Sequence, residues 1–158
     1  MNTPGDLRRL EVTILPFEPR HAVEFRSLVS DTLREFGFEP DSELDPDLVA
    51  PDAYYTALWV AEQDGAVVGS VALRDLGEDV LELKRMYLRP VQRGRGLGRR
   101  LLTIAVDWAR ARGARVIRLD TSERMQAAQA LYEMYGFRRV AGDAPRQGQS
   151  RLLYELQL

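Results

Sequence analysis

The chain has no cysteine, one histidine and no long apolar run. Without cysteine there is no disulfide, no thiolate metal site and no cysteine nucleophile. A single histidine, His21, rules out a multi-histidine metal site. It falls where the first helix should begin, which reads as a helix-terminal surface histidine rather than a member of a Ser-His-Asp triad. No apolar stretch approaches the length that crosses a bilayer, so no membrane partner is expected. The first residues, MNTPGDLRRLEV, lack the apolar centre of a secretory signal. The expectation is a soluble, cytoplasmic protein. Its 158 residues read as a single domain, 1–158, with enough material to bury a core.

Acids are also missing from one place. Between Leu83 and Val106 there is none, while Lys84, Arg85, Arg89, Arg93, Arg95, Arg99 and Arg100 fall there. The rest of the chain holds all 24 acids against 15 bases. A local basic zone in a mildly acidic protein points to a compact anion. Nucleic acid would need a broad basic face, so it is not expected as a partner. An Arg-Gly RNA-binding tail is disfavoured too, because such tails are repetitive and disordered, whereas this zone lies inside a patterned domain.

Periodicity supplies the elements. Residues 10–17 alternate apolar and polar and read as a strand. Phe25, Leu28, Val29, Thr32, Leu33 and Phe36 recur at helical spacing, with Gly37 as the stop. Residues 38–52 hold three prolines and six acids and read as a loop with one short helical turn. Three strands follow as a meander, 58–63, 66–75 and 80–88, the first two joined by Asp64-Gly65. A helix then starts near Leu97 and stops at Gly113. Residues 115–121 form a strand expected to run parallel to its neighbour, since a helix crosses between them. Residues 125–135 form a short amphipathic helix stopped by Gly136. Residues 137–140 and 152–156 close the series as strands. The fold class is α/β of the α+β type. It is a mixed, mostly antiparallel central sheet of six to seven strands flanked by about four helices.

Between strand 80–88 and the next helix lies VQRGRGLGRR. Backbone amides at a helix start are unpaired and the dipole there is positive. Glycines let successive N–H groups converge on an anion such as phosphate. Arg99 and Arg100 sit at the wrong end of the helix for cations, each costing about 0.3–1 kcal/mol unless an anion compensates. The stretch is not a P-loop, because no lysine follows the glycines. Nor is it a dinucleotide fingerprint, because it follows a meander rather than the first strand of a βαβ unit.

The run Arg93-Gly94-Arg95-Gly96-Leu97-Gly98 resembles the pyrophosphate loop of the GNAT superfamily, the acetyl-CoA-dependent N-acetyltransferases. The segment ELKRMYLRP before it resembles the family's central strand. AAQALYEMYGF after it resembles the family's Ala-x-x-Leu-Tyr-x-x-x-Gly-Phe helix, through Ala128, Leu131, Tyr132, Gly136 and Phe137. The likeness extends over roughly residues 10–156 and implies the GNAT fold.

The resemblance implies direct attack of a primary amine on the thioester of acetyl-CoA, with no acyl-enzyme and no metal. The acceptor expected is a small molecule or amino acid. A protein or peptide amine is the alternative, as is a non-catalytic acyl-CoA sensor. Cofactor contacts then fall to the amides of Arg93, Gly94, Arg95, Gly96, Leu97, Gly98 and Arg99, with charge added by Arg93 and Arg95. The end of the central strand, Met86, Tyr87 and Leu88, would pair with the pantetheine arm. Tyr132 matches the family's general acid, whereas from periodicity alone it reads as a core aromatic. Glu82 matches the base of protein-acetylating members. A salt bridge to Lys84 or an arginine is the competing reading. On a regular strand Glu82 shares a face with Lys84 and Met86. The family's frequent cofactor-touching asparagine is Met125 here, with Gln126 or Ser122 as substitutes. The acidic segment Glu39–Asp52 reads either as a cation-attracting wall for a basic amine or as a solvated loop. Relatives of such a chain are often homodimers.

Overall fold

The structure, a computed structural model, describes residues 11–158. Seven strands make one sheet in the order β1-β2-β3-β4-β5-β7-β6. They are β1 (Thr13–Pro16), β2 (Ala57–Gln63), β3 (Ala66–Gly77), β4 (Val80–Leu88), β5 (Val116–Ser122), β6 (Arg138–Val140) and β7 (Arg151–Gln157). The α-helices are α1 (Ala22–Glu35), the four-residue α2 (Pro51–Tyr54), α3 (Leu97–Ala111) and α4 (Gln126–Tyr135). Every strand pair is antiparallel except β4 with β5. The mixed sheet, the parallel pair and the helix count agree with the sequence expectation. The first strand is shorter than the 10–17 read from alternation, and Leu10 lies outside the described residues.

The sheet has a core on each face. On one face Leu101 and Leu102 of α3 cluster with Leu81, Leu83, Ile117 and Tyr154 of the sheet. On the other, Phe25, Val29 and Leu33 of α1 cluster with Phe38, Leu58 and Ala72. Helix α3 buries Leu97, Leu101, Leu102, Ala105, Val106 and Ala109, the recurrence that a 3.6-residue period places on one stripe. Its remaining face is exposed, with Arg99 and Arg100 at the start.

Two irregularities in β4 position everything that follows. The parallel ladder with β5 holds only at Val80, Leu81 and Glu82. Beyond Glu82 the strands part, and no strand pairs with that edge of β4 among the described residues. The second irregularity is a bulge. The register with β3 jumps between Ser70 and Ala72, and Arg85 takes φ +52°. A side chain other than glycine is uncommon there and needs outside support. The extra residue breaks the face alternation. Met86 and Leu88 pack with the α3 core alongside Leu83, while Tyr87 packs toward α1. Met86 therefore does not share a face with Glu82, contrary to the reading from regular alternation.

His21 is a second correction. It does sit at the start of α1, but its side chain is buried rather than on the surface. Its Nδ1 accepts from the Glu18 N–H at 2.9 Å, and Nε2 lies 2.8 Å from Glu62 Oε1.

Candidate active site at the splayed strands

The parting of β4 and β5 opens two cavities. The larger, about 470 Å³, runs between the end of β4, the glycine-arginine loop and the start of α4. Met86, Tyr87 and Leu88 form one wall. Gly94, Gly96, Gly98, Arg93 and Arg99 form the floor, and Gln126, Ala128 and Leu131 of α4 face them. Eight of the ten residues expected to contact a cofactor thus line one cavity. Arg95 and Leu97 do not. Arg95 is exposed outside it, and the Leu97 side chain is buried in the α3 core.

The loop's geometry follows from its glycines. Gly94 has φ +75° and Gly96 φ +84°, backbone that other residues adopt only with strain. Gly98 serves differently, by close approach. A Cβ there would lie 3.1 Å from Leu131 Cδ2 and 3.5 Å from Met86 Cε. Helical bonding in α3 begins with the Arg100 N–H donating to the Gly96 carbonyl at 3.2 Å. The amides of Leu97, Gly98 and Arg99 are therefore the orphans of a helix start, and no side chain caps them. The Arg93 N–H is already used, donating to the Pro90 carbonyl.

Charge around the loop divides in two. Arg93 donates to both Glu35 oxygens, at 2.6 and 3.1 Å, and to the Leu88 carbonyl at 3.0 Å. It ties α1 to the end of β4, so its charge is spent internally rather than added to the anion seat. Arg95, Arg99 and Arg100 make no ion pair with any carboxylate among the described residues. These unpaired cations, the orphan amides and a glycine floor suit a diphosphate. The unpaired edge of β4 suits an amide-bearing arm. These residues fit coenzyme A.

The smaller cavity, about 190 Å³, lies on the far side of Met86, Tyr87 and Met125, which line both. Tyr132 lines it and is otherwise enclosed, its ring 5.7 Å from that of Phe137 and 6.3 Å from that of Tyr154. Burial pushes the phenol well above its ordinary value, with Tyr87 nearby adding to the shift. It is thus both a core aromatic of α4 and a protonated donor beside the junction of the cavities.

Glu82 lines neither cavity. It lies on the last paired rung, opposite Arg74 on one side and Arg118 on the other, at the closed end of the splay. Its Oε1 is buried without a hydrogen bond, and Lys84 Nζ lies 3.9 Å away. Met125 is buried between the two cavities, contacted by Thr121 Oγ1 at 3.8 Å from its sulfur. Ser122 Oγ is occupied by the Arg124 N–H and Ser122 does not line the cavity, whereas Gln126 does, beside Arg124.

The acidic segment divides: Glu39, Asp41, Glu43 and Asp52 are exposed, as the solvated-loop reading expects, and the other two acids are not. Asp45 and Asp47 are buried, not solvated. Arg85 donates Nε and Nη2 to Asp47 at 2.9 Å each, and Nη2 to Asp45 at 2.8 Å. Arg146 grips Asp45 with two bonds of 2.7 Å, and Tyr55 Oη donates to Asp47 at 2.6 Å. Burial pushes both carboxyls up. Hydrogen bonds from Arg146 and Arg85 on Asp45, and from Arg85 on Asp47, outweigh it and hold both below the usual carboxylate range. This network supports the strained Arg85 backbone, and Ser70 Oγ adds a 2.7 Å bond to the Arg85 carbonyl. Nothing in the residue pattern of 38–52 singles out Asp45 and Asp47 from their neighbours, because their arginine partners are 38 to 101 positions away.

Comparison with known proteins follows the same lines. Residues 23–137 match the Acetyltransferase (GNAT) family. An uncharacterized N-acetyltransferase of Escherichia coli is 38% identical over 87 residues, which is 53% of this chain and 52% of that protein. The chain therefore aligns with about half the length of that relative. Among solved structures, an acetyltransferase from Streptococcus agalactiae superposes with a TM-score of 0.84 at 25% identity, covering 94% of this chain and 99% of its own. An N-acetyltransferase from Thermoplasma acidophilum, solved with coenzyme A, gives a TM-score of 0.76 at 15% identity, covering 94% of this chain and 100% of its own, and shares the fold. On the family match and the seven-stranded splayed sheet together, the chain belongs to the GNAT acetyltransferases.

Proposed function

We propose that the chain transfers an acetyl group from acetyl-CoA to the primary amine of a small molecule by direct attack, as one domain spanning residues 1–158. The observation that carries this reading is the junction of the two cavities. They share Met86, Tyr87 and Met125, and Tyr132 stands beside it. One cavity has the floor for a diphosphate and the other has room for a second reactant.

Acetyl-CoA supplies the activated acetyl thioester. The chain's residues do the rest. The amides of Leu97, Gly98 and Arg99 hold phosphate oxygens, with Arg99 and Arg95 adding charge. The free edge of Met86 and Tyr87 aligns the arm by strand-like hydrogen bonds. The Leu88 carbonyl, held by Arg93, is a lesser contact. Tyr132 keeps a proton at its Oη and donates a hydrogen bond to the sulfur of the leaving thiolate, stabilising its charge. Glu82 accepts the amine's proton through water, since its carboxylate does not reach the cavity wall.

A panel of amines incubated with acetyl-CoA, read by release of free thiol, tests the proposal. Release with at least one amine is expected. Tight acetyl-CoA binding with no release from any amine would replace this reading by that of an acyl-CoA sensor.

A further inference from the structure

The smaller cavity also has a chemical preference, which rests on the acetyl-transfer reading above. Its wall includes Lys84, Arg85, Arg146 and Arg151, against a single carboxylate, Asp120. What matters is which of these groups still have hydrogen bonds to give or take.

The carboxylates around the cavity are all engaged. Asp45, behind the wall, accepts from Arg85, from both Arg146 Nη atoms and from the Asp41 N–H. Asp47 accepts twice from Arg85 and once from Tyr55. Asp120 accepts from Arg151 at 2.5 Å. The donors are not used up. Arg146 Nε is sealed inside the wall, so Arg146 offers the cavity charge rather than a hydrogen bond. Lys84 Nζ lies 3.9 Å from its nearest carboxylate, beyond hydrogen-bonding range. A carboxylate in the cavity would gain a charge-assisted hydrogen bond from Lys84. A second positive charge would meet four cations on the wall against one carboxylate, already paired with Arg151.

We infer that the acceptor amine also carries a carboxylate, as an amino acid does, and that Lys84 receives that carboxylate. Size agrees. A cavity of about 190 Å³ has room for about six waters at the volume each takes in the liquid. That suits a free amino acid rather than a long polyamine or a peptide segment.

The test pairs each amino acid with its own carboxamide and with the amine lacking either group, at saturating acetyl-CoA, with thiol release as the readout. Peptides ending in the same residues form a separate arm. The free acids are expected to show kcat/KM at least tenfold above the amides, mostly through KM. In Lys84→Met the acid and the amide should draw together. A melting curve with acetyl-CoA checks that the variant is folded. Should it melt low, the acid-to-amide ratio of the unaltered protein decides alone. Amides, polyamines or peptides used as well as or better than free acids overturn the inference and leave acetyl transfer standing. No thiol release from any compound overturns acetyl transfer, and this inference with it.

Discussion

Arg85 and Asp47 meet in a two-pronged ion pair, Nε to Oδ2 and Nη2 to Oδ1, each at 2.9 Å and nearly out of reach of water. The pair fixes the one non-glycine strand residue with positive φ among the described residues, immediately before the segment that lines both cavities. A local distortion in β4 is thereby held by a loop nearly forty residues earlier.

Removing one partner should be expensive. Asp47→Ala leaves the Arg85 guanidinium short of two bonds inside the protein, and a broken buried pair costs about 3–5 kcal/mol. Asp45 still holds Arg85 at 2.8 Å, so the low end, about 3 kcal/mol, is expected in urea unfolding. Tyr55→Phe removes one bond to the same carboxylate and should cost about 1 kcal/mol. Equal losses for the two variants would mean that the ion pair is not what holds the bulge.

The same carboxylates set an acid limit. Asp45 and Asp47 both titrate below their ordinary values when folded. A depressed carboxyl contributes stability that is complete above the unfolded pKa, about 3.9, and is lost as pH falls through the folded value. The melting temperature should therefore be flat in this contribution from pH 7 to about pH 5 and should drop below about pH 4. In Asp47→Asn the acid drop should be shallower from a lower plateau. A melting temperature that already declines between pH 7 and pH 5 in the unaltered protein, and not in Asp47→Asn, would contradict the assignment.

What the sequence disclosed and what it hid divide along one physical line. The glycine-arginine loop is legible because helix start, glycine backbone and charge are all local in the chain. So are the stripes of α1, α3 and α4. The bulge at Arg85 is hidden, because nothing nearby forces an arginine to φ +52°. Its cause is Asp45 and Asp47. The place of Glu82 depends on where the β4–β5 ladder ends, a property of two strands that α3 separates. Arg93 looks like an anion ligand until Glu35 arrives from α1. His21 looks superficial until Glu62 is brought to it by the pairing of β1 with β2.

The floor of the larger cavity can be probed by size. Gly98→Val puts branched carbon where even a Cβ would lie 3.1 Å from Leu131. Overpacking of this kind costs about 1–3 kcal/mol. Where it is relieved by pushing side chains into the cavity, acetyl-CoA affinity should fall roughly tenfold or more, each tenfold being about 1.4 kcal/mol. Gly96→Ala acts on the backbone instead, costing about 1–2 kcal/mol for a left-handed residue. Calorimetric titration with acetyl-CoA separates them. Gly98→Val should lose affinity in proportion to side-chain size when compared with Gly98→Ala, and unchanged affinity in both would move the binding site elsewhere.

Tyr132→Phe isolates the acid. No protein group hydrogen-bonds the phenol among the described residues, so phenylalanine leaves no orphan and the ring contacts with Phe137 and Tyr154 persist. The melting temperature and the acetyl-CoA dissociation constant should stay within error of the parent. Turnover should fall by about 10²–10⁴, the usual contribution of a positioned proton donor. The pH profile supplies a second readout. Burial raises the phenol's pKa, so the donor stays protonated through the ordinary tyrosine range near 10. Turnover of the parent should therefore show no basic limb from this group between pH 7 and 10. If Tyr132→Phe turns over at the parent rate, the leaving thiolate needs no hydrogen bond from the phenol, and Tyr132 is only part of the core of α4.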